Sequence, residues 1–111
     1  MENWTLTWTK LSYLDQKTIK ELSDNMAGVY RLSYKAENGD YYVFYVGQAE
    51  DIKKRLSEHL SSYEENTGIK EYLRTKECFF RYATITRQHV RNATERAIYK
   101  EYKPSCNYQE P

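Results

Sequence analysis

Five side chains in this 111-residue chain have the chemistry that cleavage of a phosphodiester requires. Such a reaction needs a base that takes a proton from water, positive charge that stabilises the transition state, and an anionic anchor for a divalent metal. Two tyrosines, an arginine, a histidine and a glutamate supply these functions between them: Tyr30, Tyr45, Arg55, His59 and Glu95. Residue types alone identify no site, so the prediction depends on the elements that position them.

The two tyrosines fall in a predicted β-hairpin. Residues 29–35 and 41–46 are strand-like runs, and Asn38-Gly39 between them is the preferred centre of a two-residue turn, because both positions tolerate positive φ. A turn centred there predicts the cross-strand pairs Tyr30–Gly47, Leu32–Tyr45, Tyr34–Val43 and Ala36–Tyr41. Since side chains alternate between faces, one face then carries Tyr30, Leu32, Val43 and Tyr45, with a gap at Gly47. A one-residue bulge would break this register.

The arginine and the histidine fall on a predicted helix that follows the hairpin. Asp51 is a natural N-cap, and the helix extends to about Leu60. Apolar residues spaced by four form its buried row: Ile52, Leu56 and Leu60. Arg55 and His59 are also four residues apart, so they form a second row beside the buried one.

The remaining segments predict a small α+β fold. Residues 4–8 alternate like a short edge strand, and residues 78–85 form a further strand. Asp15 and Thr67 are predicted caps of two helices, and Asn92 begins a last helix that ends near Tyr102, since Pro104 disfavours helical geometry at the residue before it. The order of elements predicts an α/β (α+β) sandwich, with a small three-stranded mixed sheet flanked by three to four helices.

Composition excludes several classes of protein. Seventeen Lys and Arg against sixteen Asp and Glu give a net charge of +1, which argues against a protein that coats nucleic acid by bulk charge. The longest apolar run, residues 41–46, is far shorter than the roughly 20 residues that cross a bilayer, so we expect no membrane partner. Only two cysteines occur, Cys78 and Cys106, which we interpret as packed thiols. With no disulfide framework and no signal-peptide pattern, a cytoplasmic location is expected.

Two tripeptides in the hairpin resemble those of a known family. Gly28-Val29-Tyr30 and Tyr45-Val46-Gly47 are similar to the paired motifs that name the GIY-YIG endonucleases, with valine in place of isoleucine in both. Further positions also resemble the family pattern: Arg55, ten residues after Tyr45; Glu95, which opens the predicted last helix; and Pro104 with Asn107, like the family's terminal Pro-x-x-Asn. The resemblance implies a GIY-YIG nuclease-like domain over residues 27–108, preceded by an extension with a short strand and helix over residues 1–26.

The resemblance also implies a role for each residue, in a metal-dependent endonuclease that hydrolyses phosphodiester bonds of DNA. Tyr45 is similar to the family tyrosine that activates the attacking water, with Tyr30 hydrogen-bonding nearby. Deprotonating a tyrosine of pKa about 10 near pH 7 costs on the order of 4 kcal/mol, unless a metal and Arg55 lower its pKa. His59 titrates in the right range and is the competing base. Arg55 would clamp phosphate, and Glu95 would hold one divalent cation, Mg²⁺ or Mn²⁺.

Four further residues are predicted to bind the substrate: Gln48, Lys54, Arg96 and Asn107. Gln48 stands where many relatives of this family carry lysine, and Asn107 resembles the family's closing asparagine, which supports the site through its dipole. The expected partner is DNA, branched or damaged DNA included. A homodimer or a partner subunit is also expected, because a small, near-neutral domain grips nucleic acid weakly alone.

Each assignment has a competing explanation. Asn92-Ala93-Thr94-Glu95 has the spacing of a capping box, in which the glutamate would only stabilise the start of a helix. His59 is alternatively an exposed helix histidine, and Arg55 one cation of a solvated face that includes Lys53 and Lys54. The whole domain alternatively binds nucleic acid or protein without cutting, or forms a dimer through exposed tyrosines.

Overall fold

Within residues 6–108, which a computed structural model describes, the chain forms four strands and four helices. They are β1 (Ser12–Tyr13), α1 (Gln16–Lys20), β2 (Gly28–Lys35), β3 (Tyr41–Ala49), α2 (Ile52–His59), α3 (Thr67–Thr75), β4 (Cys78–Thr84) and α4 (Gln88–Tyr102). The strands form one sheet in the order β1-β4-β2-β3, and every neighbouring pair is antiparallel. The predicted α+β class is confirmed, whereas the predicted three-stranded mixed sheet is wrong in strand number and in strand direction.

The additional strand, β1, is too short to leave an alternating pattern. Its two residues pair with Phe80 and Phe79 at the outer edge of β4. The edge strand predicted over residues 4–8 is wrong for residues 6–8, which are irregular, while residues 4 and 5 lie outside the described part of the chain. Just after this segment, Thr9 exchanges hydrogen bonds with the backbone of Tyr82 without forming a strand.

The turn between β2 and β3 differs from the prediction. The backbone N–H of Ala36 donates to the carbonyl of Asp40 at 2.8 Å, so the loop between them has three residues rather than two. Gly39 has a φ of 89°, while the side chain of Asn38 accepts a hydrogen bond from the Asp40 N–H at 3.0 Å. A three-residue loop with glycine in the left-handed region is the next most common hairpin connection.

A β-bulge restores the predicted register where the tyrosines lie. Tyr34 pairs with Tyr42, which is one residue off the prediction, but Leu32 pairs with Tyr45 and Tyr30 pairs with Gly47, as predicted. The extra residue is Phe44, and it packs on the same side of the sheet as Tyr45. Val43 therefore faces the opposite side, packed against the second core, and its predicted place beside Tyr30 is wrong.

The two faces of the sheet carry separate cores. One core joins the β2 and β3 side chains to helices α1, α2 and α3 through Ile19, Ile52, Leu56 and Ile69. The other joins Val29 and Val46 to α4 through Ile98. Tyr30 belongs to the first core, so it lies beneath α2, whose second row carries Arg55 and His59. Cys78 and Cys106 are buried free thiols, as predicted, and burial raises the pKa of Cys78 to about 12.

Helix boundaries decide which residues can act as caps. Asp51 caps α2 as predicted, accepting a hydrogen bond from the Lys54 N–H at 3.2 Å. Helix α3 is capped by Asn66 instead of Thr67. Helix α4 begins at Gln88, four residues before the predicted Asn92. The buried Arg91 side chain donates to the carbonyls that precede this helix, which stabilises a start with no side-chain cap.

No helix within residues 6–108 is long and apolar enough to cross a membrane.

Candidate active site

The hairpin and α2 bring three rings together on one face of the sheet. The ring centroids of Tyr30 and Tyr45 are 6.2 Å apart, and those of Tyr45 and His59 are 5.3 Å apart. The register places both tyrosines on the face that α2 covers, and the helical spacing places His59 one turn beyond Arg55. The proximity of these four residues therefore follows from two local patterns and one packing contact.

His59 is a buried link in a hydrogen-bonded chain. Its side chain is only 1% exposed, so the interpretation as an exposed helix histidine is wrong. The Nε2 atom lies 2.8 Å from the Tyr30 hydroxyl, and the Nδ1 atom lies 2.7 Å from Oε2 of Glu64. Tyr30 is as buried as His59, so the hydrogen bond between the two side chains is shielded from solvent.

Glu64 is a site residue that sequence reasoning missed. It lies in the loop between α2 and α3, it is 9% exposed, and its second oxygen accepts the Asn66 N–H at 2.9 Å. An acid in a loop after a helix has no distinctive spacing. The one available signal was that an acidic pair, Glu64-Glu65, follows shortly after a histidine at the end of a predicted helix.

Burial keeps both phenols in the neutral form. The pKa of Tyr30 is well above its usual value and the pKa of Tyr45 is also raised, in both cases chiefly because burial disfavours the phenolate. The charge and hydrogen bonding of Arg55 oppose this rise at both residues. Arg55, one of the two cations named above for a tyrosine base, thus acts on both phenols, but its effect on their pKa is smaller than that of desolvation.

The imidazole of His59 is held neutral by the same effect. Burial and the nearby Arg55 lower its pKa below the ordinary value, while the Glu64 carboxylate opposes them. A neutral imidazole has one nitrogen lone pair free to accept a proton. His59 is therefore in the protonation state that a base requires near neutral pH.

Glu95 lies in the interior of α4 and reaches the end of β3. The side chain of Gln48 donates from Nε2 to Glu95 Oε1 at 3.1 Å and also to the side-chain oxygen of Asn92. Because α4 begins at Gln88, the capping-box explanation of Glu95 is wrong. Burial raises the pKa of Glu95, against the opposing effects of the Gln48 hydrogen bond and the charge of Arg96. The Glu95 charge in turn raises the pKa of Tyr30 and of Tyr45.

The Glu95 carboxylate is the group in this site that suits a hard cation. Among residues 6–108 no group of three or more His, Cys, Asp and Glu side chains is placed to hold a metal. The half-buried Glu95 carboxylate is the ligand type that Mg²⁺ prefers, and the Gln48 N–H group occupies one side of its Oε1. A single protein carboxylate is compatible with Mg²⁺, because this ion usually keeps several waters and binds substrate phosphate.

Two open depressions meet beside Arg55. One extends to Glu64 and the other to Gln48, and they share Lys54, Arg55 and Glu58. The Arg55 side chain is 37% exposed, so its guanidinium is accessible from both. Lys54 is exposed on the shared rim. The two depressions are thus separated by a ridge of Lys54, Arg55 and Glu58, in which Arg55 lies 4.0 Å from the Glu58 carboxylate.

The sequence profile of the GIY-YIG catalytic domain matches residues 26–109. This chain belongs to the GIY-YIG family. The membership of this family that the two tripeptides indicated is therefore confirmed.

Solved GIY-YIG structures share the fold. The N-terminal endonuclease domain of UvrC from Thermotoga maritima, bound to magnesium as its catalytic divalent cation, is 19% identical over 84% of this chain and 99% of that chain, with a TM-score of 0.61. A point mutant of that domain, also bound to its catalytic divalent cation, is 18% identical over 86% of this chain and 100% of that chain, with a TM-score of 0.62. No curated protein matches the chain.

The GIY-YIG tripeptides have a direct structural basis here. A Cβ atom at Gly47 would lie 2.5 Å from the Tyr30 hydroxyl, and one at Gly28 would overlap the carbonyl of Ala83 on β4. One glycine therefore makes room for the buried phenol, and the other lets two strands approach closely.

The closing asparagine of the GIY-YIG pattern supports a strand. Asn107 accepts a hydrogen bond from the Val46 N–H at 2.9 Å and donates one to the Val46 carbonyl at 2.8 Å. Its side-chain amide thus replaces a neighbouring strand at the outer edge of β3, in the middle of the second tripeptide. Arg96, the last of the predicted substrate-binding residues, is exposed next to Glu95.

Proposed function

We propose that this GIY-YIG domain is a divalent-metal-dependent endonuclease that hydrolyses phosphodiester bonds of DNA. The observation that carries the proposal is the cluster of Tyr30, Tyr45 and His59, whose ring centroids lie 5.3–6.2 Å apart, one helical turn from the half-exposed Arg55. The charge of Glu95 also acts on both tyrosines. A cation for phosphate, a carboxylate for metal and hydroxyls for proton transfer thus occupy one neighbourhood, as phosphodiester hydrolysis requires.

Glu95 is the residue that would hold the cation, Mg²⁺ or Mn²⁺. Such an ion stabilises charge on the phosphate oxygens and makes water more acidic. Gln48 holds Glu95 Oε1 through its amide, which fixes the direction of the carboxylate. The magnesium found in the UvrC domain supports this assignment.

Arg55 is the residue that would bind the scissile phosphate. Its guanidinium is half-exposed beside both depressions, and a planar fork of N–H groups suits two phosphate oxygens at once. Lys54 on the same rim and Arg96 beside Glu95 would contact the flanking DNA backbone, where positive charge contributes affinity without sequence preference. Gln48 and Asn107 would act indirectly, by orienting Glu95 and by fixing β3.

The proton of the attacking water would pass through a phenol to His59. A free phenolate is disfavoured at both tyrosines, whereas Tyr30 is already hydrogen-bonded to a neutral imidazole. The Tyr30 oxygen can accept the proton of water while Tyr30 gives its own proton to Nε2 of His59. The resulting hydroxide attacks phosphorus, the bond to the leaving oxygen breaks, and that oxygen takes a proton from solvent. His59 then returns its proton to Tyr30, and Tyr30 releases a proton to solvent, which balances the one that the leaving oxygen took.

Nicking of supercoiled plasmid DNA tests the proposal. The wild-type domain should cut with Mg²⁺ or Mn²⁺ and stop when EDTA is added. Glu95→Gln and Arg55→Ala should each lower the rate by about 10²-fold or more, the loss expected when a charge-stabilising group is removed. Matched controls are Glu101→Gln, an exposed acid on the same helix, and Arg74→Ala, an exposed arginine paired with Glu71; both should cut normally. DNA binding without cleavage in every divalent cation would instead identify a binding module and overturn the proposal.

Three expectations stay predictions: branched or damaged DNA as the preferred substrate, a homodimer or partner subunit, and a cytoplasmic location. The first is measured in the same assay by replacing the plasmid with synthetic junctions and lesion-bearing duplexes.

A further inference from the structure

We propose that Glu64 is a positioning residue that sets the direction of the hydrogen bond between Tyr30 and His59. The inference rests on the proposed function for its catalytic consequence, but its structural part stands independently. Glu64 would fix the imidazole in the form that carries hydrogen on Nδ1, so that Nε2 can only accept.

The hydrogen bonds of Glu64 support this direction. Its Oε1 faces the backbone N–H of Asn66 at 2.9 Å, and a backbone N–H can only donate. Its Oε2 faces Nδ1 of His59 at 2.7 Å, a short distance typical of a bond to an ionised carboxylate. With both oxygens as acceptors, Nδ1 carries the hydrogen and the lone pair of Nε2 points at the Tyr30 hydroxyl, 2.8 Å away.

The position of Glu64 is fixed from both sides of its loop. The Glu64 N–H donates to the carbonyl of Ser61 at 3.3 Å, just beyond the end of α2. Asn66, whose backbone N–H donates to the Glu64 carboxylate, caps α3 and donates from Nδ2 to the carbonyl of Cys106 at 2.8 Å. The carboxylate is therefore held by the backbone at the end of one helix and the start of the next.

This direction determines what Tyr30 can do. Since the Tyr30 hydrogen is directed at His59, the free lone pairs of its oxygen are left to accept a proton from the reaction side. If His59 carried its hydrogen on Nε2 instead, Tyr30 would accept from the imidazole and its own O–H would turn outward as a donor. A donor at that position opposes removal of a proton from water.

Glu64 also stabilises the charge that forms when His59 accepts the proton. The groups that face the imidazole are Tyr30 from β2, Tyr45 from β3, Arg55 and Glu58 from α2, and Glu64 from the loop. Arg55 disfavours an imidazolium there, while the two acids favour it, and Glu64 makes the direct contact. A buried carboxylate that orients a histidine and stabilises its cation is a familiar arrangement in acid–base catalysis.

Glu64→Gln should reverse the direction of the hydrogen bond between His59 and Tyr30, because glutamine has nearly the same shape as glutamate but can donate. A glutamine has one acceptor oxygen, which the Asn66 N–H requires, so its NH₂ group faces Nδ1 of His59. The imidazole must then carry its hydrogen on Nε2 and donate to Tyr30. Nitrogen NMR of the imidazole rings in the metal-free protein reads this directly. The chain has two histidines, and His89→Gln assigns their signals.

The expected NMR result is hydrogen on Nδ1 of His59 in the wild type and on Nε2 in Glu64→Gln. Hydrogen on Nε2 in the wild type would overturn the inference, even if the variant failed to fold. The same form in both proteins would overturn it as well. Glu64→Asp, which keeps a carboxylate, should retain the wild-type form, and Glu65→Gln, which changes the exposed neighbour, should alter neither the imidazole signals nor the rate.

Kinetics then tests the consequence for cleavage. Glu64→Gln should lower kcat by about 10²-fold, the contribution typical of a positioned base, with KM for DNA unchanged. An unchanged kcat despite a reversed imidazole would reject the catalytic part of the inference while leaving the endonuclease proposal intact. If even the wild type cut no DNA, the proposed function would fail, and the NMR result would still decide the hydrogen-bond direction.

Discussion

The hydroxyl of Tyr30 occupies the space that a side chain at residue 47 would need. The two residues pair across the hairpin, and a Cβ added to Gly47 would lie 2.5 Å from the hydroxyl oxygen and 2.6 Å from the ring carbon that bears it. The glycine that ends the second tripeptide thus accommodates the tyrosine that ends the first. The same hydroxyl lies 2.8 Å from Nε2 of His59, so a side chain at residue 47 would disturb that hydrogen bond as well.

Gly47→Ala should displace the Tyr30 hydroxyl from His59. We expect a loss of about 1–3 kcal/mol in the free energy of unfolding, the range for overpacking a rigid core, together with loss of cleavage. Urea denaturation and the imidazole NMR signals measure the two effects. Gly39→Ala is the contrast: residue 39 has open space but a φ of 89°, so alanine there strains the turn and leaves the His59 signals unchanged. Normal His59 signals in Gly47→Ala would contradict the prediction.

Removal of the Tyr30 hydroxyl should cost more stability than removal of the Tyr45 hydroxyl. Tyr30→Phe leaves the buried Nε2 of His59 without a partner, which should lower the free energy of unfolding by about 1–3 kcal/mol. Tyr45→Phe removes a hydroxyl from a half-buried side chain beside Arg55 and should cost less stability. Both variants should lose cleavage. Equal stability losses in urea denaturation would show that the His59 contact is no stronger than the Arg55 contact.

His59 should make the stability of the domain depend on pH. Burial lowers its pKa in the folded state below 6.5, so the unfolded chain binds the proton more readily. The stabilisation is complete above about pH 6.5 and is lost as pH falls below it, with a slope of up to about 1.4 kcal/mol per pH unit. Urea denaturation at pH 7.5 and pH 5 should therefore show a smaller acid loss for His59→Gln than for the wild type. His89→Gln, at the exposed histidine, should behave like the wild type.

The Asn107 side-chain amide should stabilise β3 through both its oxygen and its nitrogen. Asn107→Ala frees the N–H and the carbonyl of Val46, with an expected loss of about 1–3 kcal/mol in the free energy of unfolding. Asn107→Asp has nearly the same shape but places a carboxylate oxygen against the Val46 carbonyl. It should therefore destabilise the domain at least as much as alanine at neutral pH. An aspartate variant as stable as the wild type in a thermal melt would rule out the donated hydrogen bond.

Local patterns in the sequence were enough to predict the central part of the site. The Asp51 cap and the spacing of four between Arg55 and His59 depend on helix geometry alone. The pairing of Tyr30 with Gly47 was predicted correctly although the turn was not, because the bulge at Phe44 compensates for the extra loop residue. The resemblance to the family came from the same two tripeptides.

Tertiary contacts determined the features of the site that no local sequence pattern predicts. The start of α4 depends on the Arg91 side chain, which bonds to carbonyls before the helix, and this start excluded a capping role for Glu95. The bond between Asn107 and Val46 joins residues 61 positions apart, and Glu64 meets His59 only because its loop folds back between two helices. Side-chain hydrogen bonds of this kind have no periodicity. Their partners are determined by the packing of whole elements, so the hydrogen bonds among Tyr30, His59 and Glu64 can be inferred only from the folded chain.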